Sequence, residues 1–328
     1  MTMNSAVEIA DLLLGGRRFV ALSHTNPDGD ALGAVLGLAH ALRRLGKECV
    51  AYSQDAAPYF LRYLPGVGDL RRDWPGHNDL DAILVLDCGD FYRVGKILET
   101  IQNAPRVVNI DHHASNPMFG EWNFVDESAS STSEMVYRIL RAADFVFDAD
   151  TATCLYTGVF SDTRAFHNAN SSPDAYRICG EMVAAGADPA RVARHLYIEQ
   201  RPESIRLMAA ALTTLAIEDD GRIAGVTVTR EMTDGAGAAQ DAFEGLVDIP
   251  RSIIGVEGAY VVREVVGSDG KKRIKGSIRT TERIDATVVT AQFGGGGHRR
   301  AAGFTTEGEL GDIRDHLVAA LREQLGSA

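Results

Sequence analysis

Eight side chains able to hold or serve a hard cation are spread over the first half of this sequence. They are His24, Asp28 and Asp30 in His24-Thr-Asn-Pro-Asp28-Gly-Asp30, then Asp87, Asp111-His112-His113 and Asp162. Oxygen-rich sets with a few imidazoles suit Mn²⁺ or Mg²⁺ better than soft metals. Two such ions side by side can activate water and hold a phosphoryl oxygen. The chemistry expected is metal-dependent hydrolysis of a phosphoester.

Each residue also has a plainer reading. An Asp at a helix start is favoured for capping and dipole reasons, Asp87 could simply end a strand, and Ser-Asp162-Thr is common turn chemistry. A turn needs one carboxylate, however. Asp28 and Asp30 flank Gly29 behind an imidazole, and such a pair repels unless a cation compensates. The weight of each candidate comes from the others.

A second cluster lies near the C-terminus, in Phe293-Gly-Gly-Gly-Gly297-His298-Arg-Arg-Ala-Ala-Gly303. The run is read as a glycine loop entering a helix at Arg299, where free N–H groups of Gly295, Gly296 and Gly297 can cradle an anion. Lys275-Gly-Ser277-Ile-Arg279 supplies donors nearby in sequence. A flexible linker and a solvated edge strand are the competing readings of these two segments.

The elements that must position these residues alternate. Residues 19–23, 49–52, 82–86 and 107–110 read as strands, and 31–45 as a helix stopped by Gly46. Such alternation predicts an α/β domain with a parallel sheet covered by helices. Ligands then gather beyond the carboxyl ends of the strands, where His24, Asp87 and Asp111 fall. Ser131-Thr-Ser-Glu134 reads as a capping box opening a helix through Ala142, and 149–160 as a helix ending near Asp162. Beyond a helical passage around 186–202, strands are expected at 215–218, 223–229, 259–266 and 273–278, with a last helix over 313–325. The division expected is 1–187 catalytic, 188–212 helical linker, and 213–328 a smaller α+β substrate-binding domain.

The chain has 328 residues, 45% hydrophobic and 24% charged, enough for two cores. Its net charge of −12 argues against long duplex nucleic acid as a partner. Residues 251–300 hold ten Lys/Arg against five Asp/Glu, a basic stretch suited to a small anion. Neither a signal peptide nor a membrane span is read at the N-terminus. Cys49, Cys88, Cys154 and Cys179 lie far apart, without a Cys-x-x-Cys pair, so they are read as buried thiols. A cytoplasmic location is expected.

These motifs, in this order, resemble the DHH phosphoesterase superfamily, in the subfamily with the DHH-associated C-terminal domain. Within it, Ser-x-Arg and Gly-Gly-Gly-His-x-x-Ala-Ala-Gly are most similar to the bacterial group that degrades short oligoribonucleotides and dephosphorylates 3′-phosphoadenosine-5′-phosphate. The resemblance implies two divalent ions, Mn²⁺ or else Mg²⁺. His24 and Asp28 would hold one, Asp30, His112 and Asp162 the other, and Asp87 would bridge them. His113 would contact the phosphate or act as the acid, with Asp111 orienting a histidine. Ser277, Arg279, His298 and the backbone of Gly295, Gly296 and Gly297 would hold the substrate phosphate, with Arg93 a further contact. The chain departs from the resemblance at Arg164, where many relatives carry glycine.

The substrates and partners implied are small nucleotides and short single-stranded RNA or DNA, a homodimer being compatible. An acidic protein cannot exploit a long phosphate backbone, so about two to five nucleotides is the natural scale. Cyclic dinucleotide hydrolysis, pyrophosphate hydrolysis and non-catalytic nucleotide sensing are the alternative functions.

Overall fold

Short runs of branched and aliphatic residues form the strands β1 (Arg18–Leu22), β2 (Glu48–Tyr52), β3 (Ala82–Leu86), β4 (Val107–Asp111) and β5 (Trp122–Val125). All pair in parallel, in the order β2-β1-β3-β4-β5. Every residue of β3 and β4 is buried, as expected of parallel strands covered on both faces. The computed structural model describes residues 3–326 except 77, 78, 103, 105, 244 and 268.

One face of this sheet carries Phe19, Ala21, Leu84, Leu86 and Val108 against the helices Ala6–Gly15, Gly29–Arg44 and Thr132–Ala142, with helix Ala149–Asp162 packed on the latter two. The other carries Val20, Leu22, Ile83 and Val85 against Val94, Ile97 and Ile101. Helix Gly29–Arg44 lies close on Ala149–Asp162 because small residues face the contact. A Cβ at Gly33 would come within 2.6 Å of the Cys154 carbonyl oxygen. That proximity brings the first turn of one helix beside the last turn of the other.

Strand β5 escapes sequence reading because it has only four residues with Asn123 at its centre. The buried amide is satisfied: Asn123 Oδ1 accepts from Asn109 Nδ2 (3.1 Å) and Gly120 N (3.0 Å), and its Nδ2 donates to the Gly120 carbonyl (2.8 Å). Helix Ala149–Asp162 also runs two residues past the expected end, so Asp162 stands in its last turn rather than in a following loop.

The chain divides into two compact units, Met1–Glu199 and Gln200–Ala328. The helical stretch read from sequence at 188–212 falls on both sides of that division, as Pro189–Ala193 and a π turn at Arg194–Ile198 in the first unit and Pro202–Leu212 in the second.

The second unit is a six-stranded mixed sheet of β6 (Ala216–Glu218), β7 (Ile223–Val228), β8 (Gly258–Val266), β9 (Lys272–Thr280), β10 (Gly296–His298) and β11 (Ala301–Thr306), in the order β10-β11-β9-β8-β7-β6. Tyr260, Ile274, Ile278 and Phe304 pack one face against the helices Ala286–Ala291 and Leu310–Gly326. On the other face Val226, Val228 and Val261 are covered by Leu207, Ala211, Leu246 and Val247. No helix starts at Arg299, contrary to the sequence reading. Arg299 and Arg300 form the turn of a hairpin between β10 and β11.

Candidate metal centre

The strand order reverses between β1 and β3, and in open α/β sheets the crevice beyond the carboxyl ends at such a point receives the ligand. His24 lies two residues beyond β1, Asp87 directly follows β3, and Asp111 ends β4 with His112 and His113 behind it. Asp87 takes a positive φ of 57° there, which turns the chain sharply out of the strand.

Asp87 is the hub. His24 Nε2 is 3.5 Å from its Oδ2, while His112 Nε2 and His113 Nδ1 are each 3.7 Å from its Oδ1. Thr132 Oγ1 donates to Oδ1 as well (3.2 Å). Two ligand-like triads therefore share this carboxylate: His24, Asp28 and Asp87, and Asp87, His112 and His113. Asp30 Oδ2 and Asp162 Oδ2 add carboxylates at 4.0 and 3.8 Å from His112 Nε2.

The local sequence sets each orientation. Asp28 is the N-cap of Gly29–Arg44, its Oδ1 accepting from Asp30 N (3.1 Å) and Ala31 N (3.0 Å). Its Oδ2 points toward His24 Nε2 at 4.0 Å. The buried Asp30 accepts from Ser133 N (2.9 Å) and Thr132 N (2.7 Å), donors of a helix N-terminus that have no intrahelical acceptor. His24 Nδ1 donates to the Thr25 carbonyl (2.8 Å), leaving Nε2 as the ligand nitrogen. Asp162 Oδ2 accepts from Asn170 Nδ2 at 3.0 Å.

Asp111, fully buried, places Oδ1 2.7 Å from His113 Nδ1 and accepts from Asn116 Nδ2 at Oδ2 (2.6 Å). Thr132, Ser133, Asn116 and Asn170 were not singled out from sequence. The capping motif at Ser131 was the available signal for the first two. Only half of the expected box forms: Ser131 Oγ accepts from Glu134 N, whereas the Glu134 carboxylate accepts from the N–H and hydroxyl of Ser130.

Charge is badly balanced here in the metal-free chain. Burial opposes protonation of His24, but Asp87 and then Asp28 outweigh it and raise the imidazole to about 9. At His112 burial is likewise overcome, by Asp162, Asp87 and Asp30, again to about 9. Burial and the nearby Asp87 push Asp30 up to about 7, and burial with the charges of Asp30 and Asp87 takes Asp162 well above the usual carboxylate range despite His112. Asp87 resists its own burial through His24, His113 and His112 and is held well below that range. Carboxylates crowded until some must bind protons, with imidazole nitrogens aimed among them, are a donor set suited to hard divalent cations.

A pH dependence follows. Ligand imidazoles must be neutral, so cation uptake by the metal-free chain at pH 7 displaces protons from His24 and His112. Affinity should rise as pH rises toward 9, by roughly tenfold per displaced proton per pH unit, and level off above it. The raised imidazoles stabilise the metal-free fold fully below pH 6.5, and this contribution is lost as pH rises through 9. Calorimetric titration with Mn²⁺ at several pH values checks the first sign and thermal unfolding of the metal-free chain the second; affinity independent of pH between 6 and 9 contradicts the reading.

Directly after Asp162, Arg164, Ala165 and Phe166 have φ of 49°, 54° and 64°. Three left-handed residues in a row cost about 1–2 kcal/mol each, a strain that a glycine at Arg164 would relieve. Phe166 stacks on Tyr176 (4.3 Å between centroids) and anchors the segment. Arg93 is exposed, in the 3₁₀ segment Phe91–Ile97, whose Arg93 carbonyl accepts from Thr25 N (2.8 Å) beside His24.

In the second unit Ser277 and Arg279 lie on one face of β9, alternating with buried Gly276, Ile278 and Thr280. Their partners on β11 are Gly303 and Ala301, and those pair with Gly296 and His298 of β10. The residues selected from sequence thus stand in two adjacent rows across three strands. Hairpin packing explains part of the glycine run: a Cβ at Gly295 would lie 2.4 Å from the Gly303 carbonyl oxygen, and one at Gly297 2.6 Å from that of Ala301. Above Gly296 the space is open.

A parallel sheet whose switch point gathers carboxylates and imidazoles, joined to a mixed-sheet unit with a basic edge, defines a phosphoesterase. The chain belongs to the DHH family: its N-terminal domain matches residues 18–159, and the DHHA1 domain residues 220–326. The "Bifunctional oligoribonuclease and PAP phosphatase NrnA" of Thermus thermophilus is 34% identical over 93% of this chain and 90% of its own. The "Cyclic-di-AMP phosphodiesterase GdpP" of Geobacillus thermodenitrificans is 25% identical over 96% of this chain, which spans 49% of that protein. An exopolyphosphatase-related protein from Bacteroides fragilis superposes with a TM-score of 0.89 at 26% identity, covering 98% of this chain and 96% of that one. No described helix is long and apolar enough to cross a membrane.

Proposed function

We propose that this phosphoesterase works in the cytoplasm with two divalent cations, Mn²⁺ in preference to Mg²⁺, on oligonucleotides of about two to five residues. It releases nucleoside 5′-monophosphates and also removes the 3′-phosphate of 3′-phosphoadenosine-5′-phosphate. The observation that carries the reading is that Asp87 faces His24 with one carboxylate oxygen and His112 with the other. The activity named for the Thermus thermophilus relative supports the substrate class.

His24 and Asp28 would hold one cation, Asp30, His112 and Asp162 the other, and Asp87 both. When bound, the pair supplies Lewis-acid activation of water and of the phosphate oxygens. Asp111 accepts a hydrogen bond from His113 Nδ1–H and fixes that ring, so that the other ring nitrogen contacts the phosphate or delivers a proton to the leaving oxygen. We assign catalysis to 1–187, a helical linker to 188–212 and substrate binding to 213–328. There Ser277, Arg279, His298 and the backbone of 295–297 hold a substrate phosphate, and Arg93 contacts another from the first unit.

The purified protein, incubated with Mn²⁺ and in parallel with a 5′-phosphorylated dinucleotide, 3′-phosphoadenosine-5′-phosphate, cyclic di-AMP or pyrophosphate, should convert the dinucleotide to monophosphates fastest by chromatography. Preferred cleavage of the cyclic dinucleotide would move the substrate to the second reading, which the likeness to GdpP favours.

A further inference from the structure

The strand arginines of the second unit are treated unequally. Arg273 is ion-paired with Asp269 at 2.6 Å. Among the described residues no carboxylate lies within ion-pair distance of Arg279 or Arg263. Arg279 donates to the Ile278 carbonyl (3.0 Å), and the Arg263 guanidinium stands 3.7 Å above the Phe243 ring. Arg263 is half-buried, and burial lowers it to about 10, so its cation is held in place at a cost and without a partner anion. A planar cation braced on an aromatic face is pre-organised for a bidentate anion such as phosphate.

Register puts the two arginines on one face. Arg263 of β8 pairs with Lys275 of β9, and cross-strand partners point the same way. Lys275, Ser277 and Arg279 follow one another at alternate positions, so the Arg263–Lys275 row lies four residues, or about 13 Å, from the row of Arg279, Ala301 and His298. That is two separate cationic positions on one face of the sheet.

We propose that Arg263, braced by Phe243, is a second phosphate-binding position, taking the terminal phosphate of an oligonucleotide whose internal phosphate is held in the Arg279 row. The proposal rests on the nucleotide reading above and adds to it a device that distinguishes substrates by a second phosphate. Lys275 contributes charge beside it.

The test is equilibrium binding to the full, Mn²⁺-loaded chain of a diadenosine dinucleotide whose bridging linkage is a non-hydrolysable methylenephosphonate, with and without a 5′-phosphate. The wild type should favour the phosphorylated form by about 10- to 100-fold. Arg263→Met should erase that preference while leaving the unphosphorylated ligand's affinity unchanged. Arg263→Lys, which keeps the stem and charge but not the planar fork, should retain only part of it, as should Phe243→Leu. If the wild type binds both forms equally, or the preference survives Arg263→Met, the second position is refuted and the nucleotide reading stands. If neither ligand binds the wild type, both fall.

Discussion

Replacing Asp87 by Asn should lower metal-dependent turnover by at least about 10⁴-fold, comparable with removing a central member of a catalytic unit. The substitution keeps size and polarity but removes a charge that faces His24 on one oxygen and His112 and His113 on the other. It also strips buried His24 of the anion that does most to hold its charge. Turnover of a 5′-phosphorylated dinucleotide under Mn²⁺ is the measurement, and retained activity would remove Asp87 from the reaction. Asp28→Asn should cost less, because Asp28 serves only one triad and its side chain is 59% exposed to water.

The second large effect is expected at His113. Its Nδ1 is tied to buried Asp111, itself fixed by Asn116, so the ring is held in one orientation. His113→Gln should reduce kcat by about 10²- to 10⁴-fold, the usual contribution of a positioned proton donor, while leaving most of the metal affinity in place. A kcat loss with little change in KM and near-normal Mn²⁺ uptake separates this role from that of a ligand. Loss of both cations in this variant would instead make His113 part of the metal shell, which its 3.7 Å approach to Asp87 also allows geometrically. Asp111→Asn should reproduce part of the defect by upsetting the tautomer.

The α/β architecture is readable because β3 and all of β1 after Arg18 are continuous apolar runs and β4 is interrupted only by Asn109, with polar residues at or just past the carboxyl ends. His24, Asp87 and Asp111 needed only that rule to be brought together. What remained hidden was of two kinds. Short or polar strands such as β5, and the glycine-rich β10, have no periodic signal, since their stability comes from partners distant in sequence: Asn109 for β5, and β11 for the Gly295 to Gly297 run. Residues that hold the ligands, among them Thr132, Ser133 and Asn170, look like ordinary helix-start and loop residues until the helix Thr132–Ala142 is seen to aim its N–H groups at Asp30. The helix expected at Arg299 failed for a related reason. Glycines that resemble an anion loop are, at two positions, what lets β10 approach β11.

The most direct test of the two-cation account is the number of Mn²⁺ ions bound per chain, counted by metal analysis of dialysed protein and located by anomalous diffraction, in the wild type and in Asp87→Asn. The account predicts two ions in the wild type, one beside His24 and Asp28 and one beside Asp30, His112 and Asp162, with at least one lost in the variant. A fully active wild-type enzyme holding a single ion, or an Asp87→Asn chain that keeps both, would contradict it.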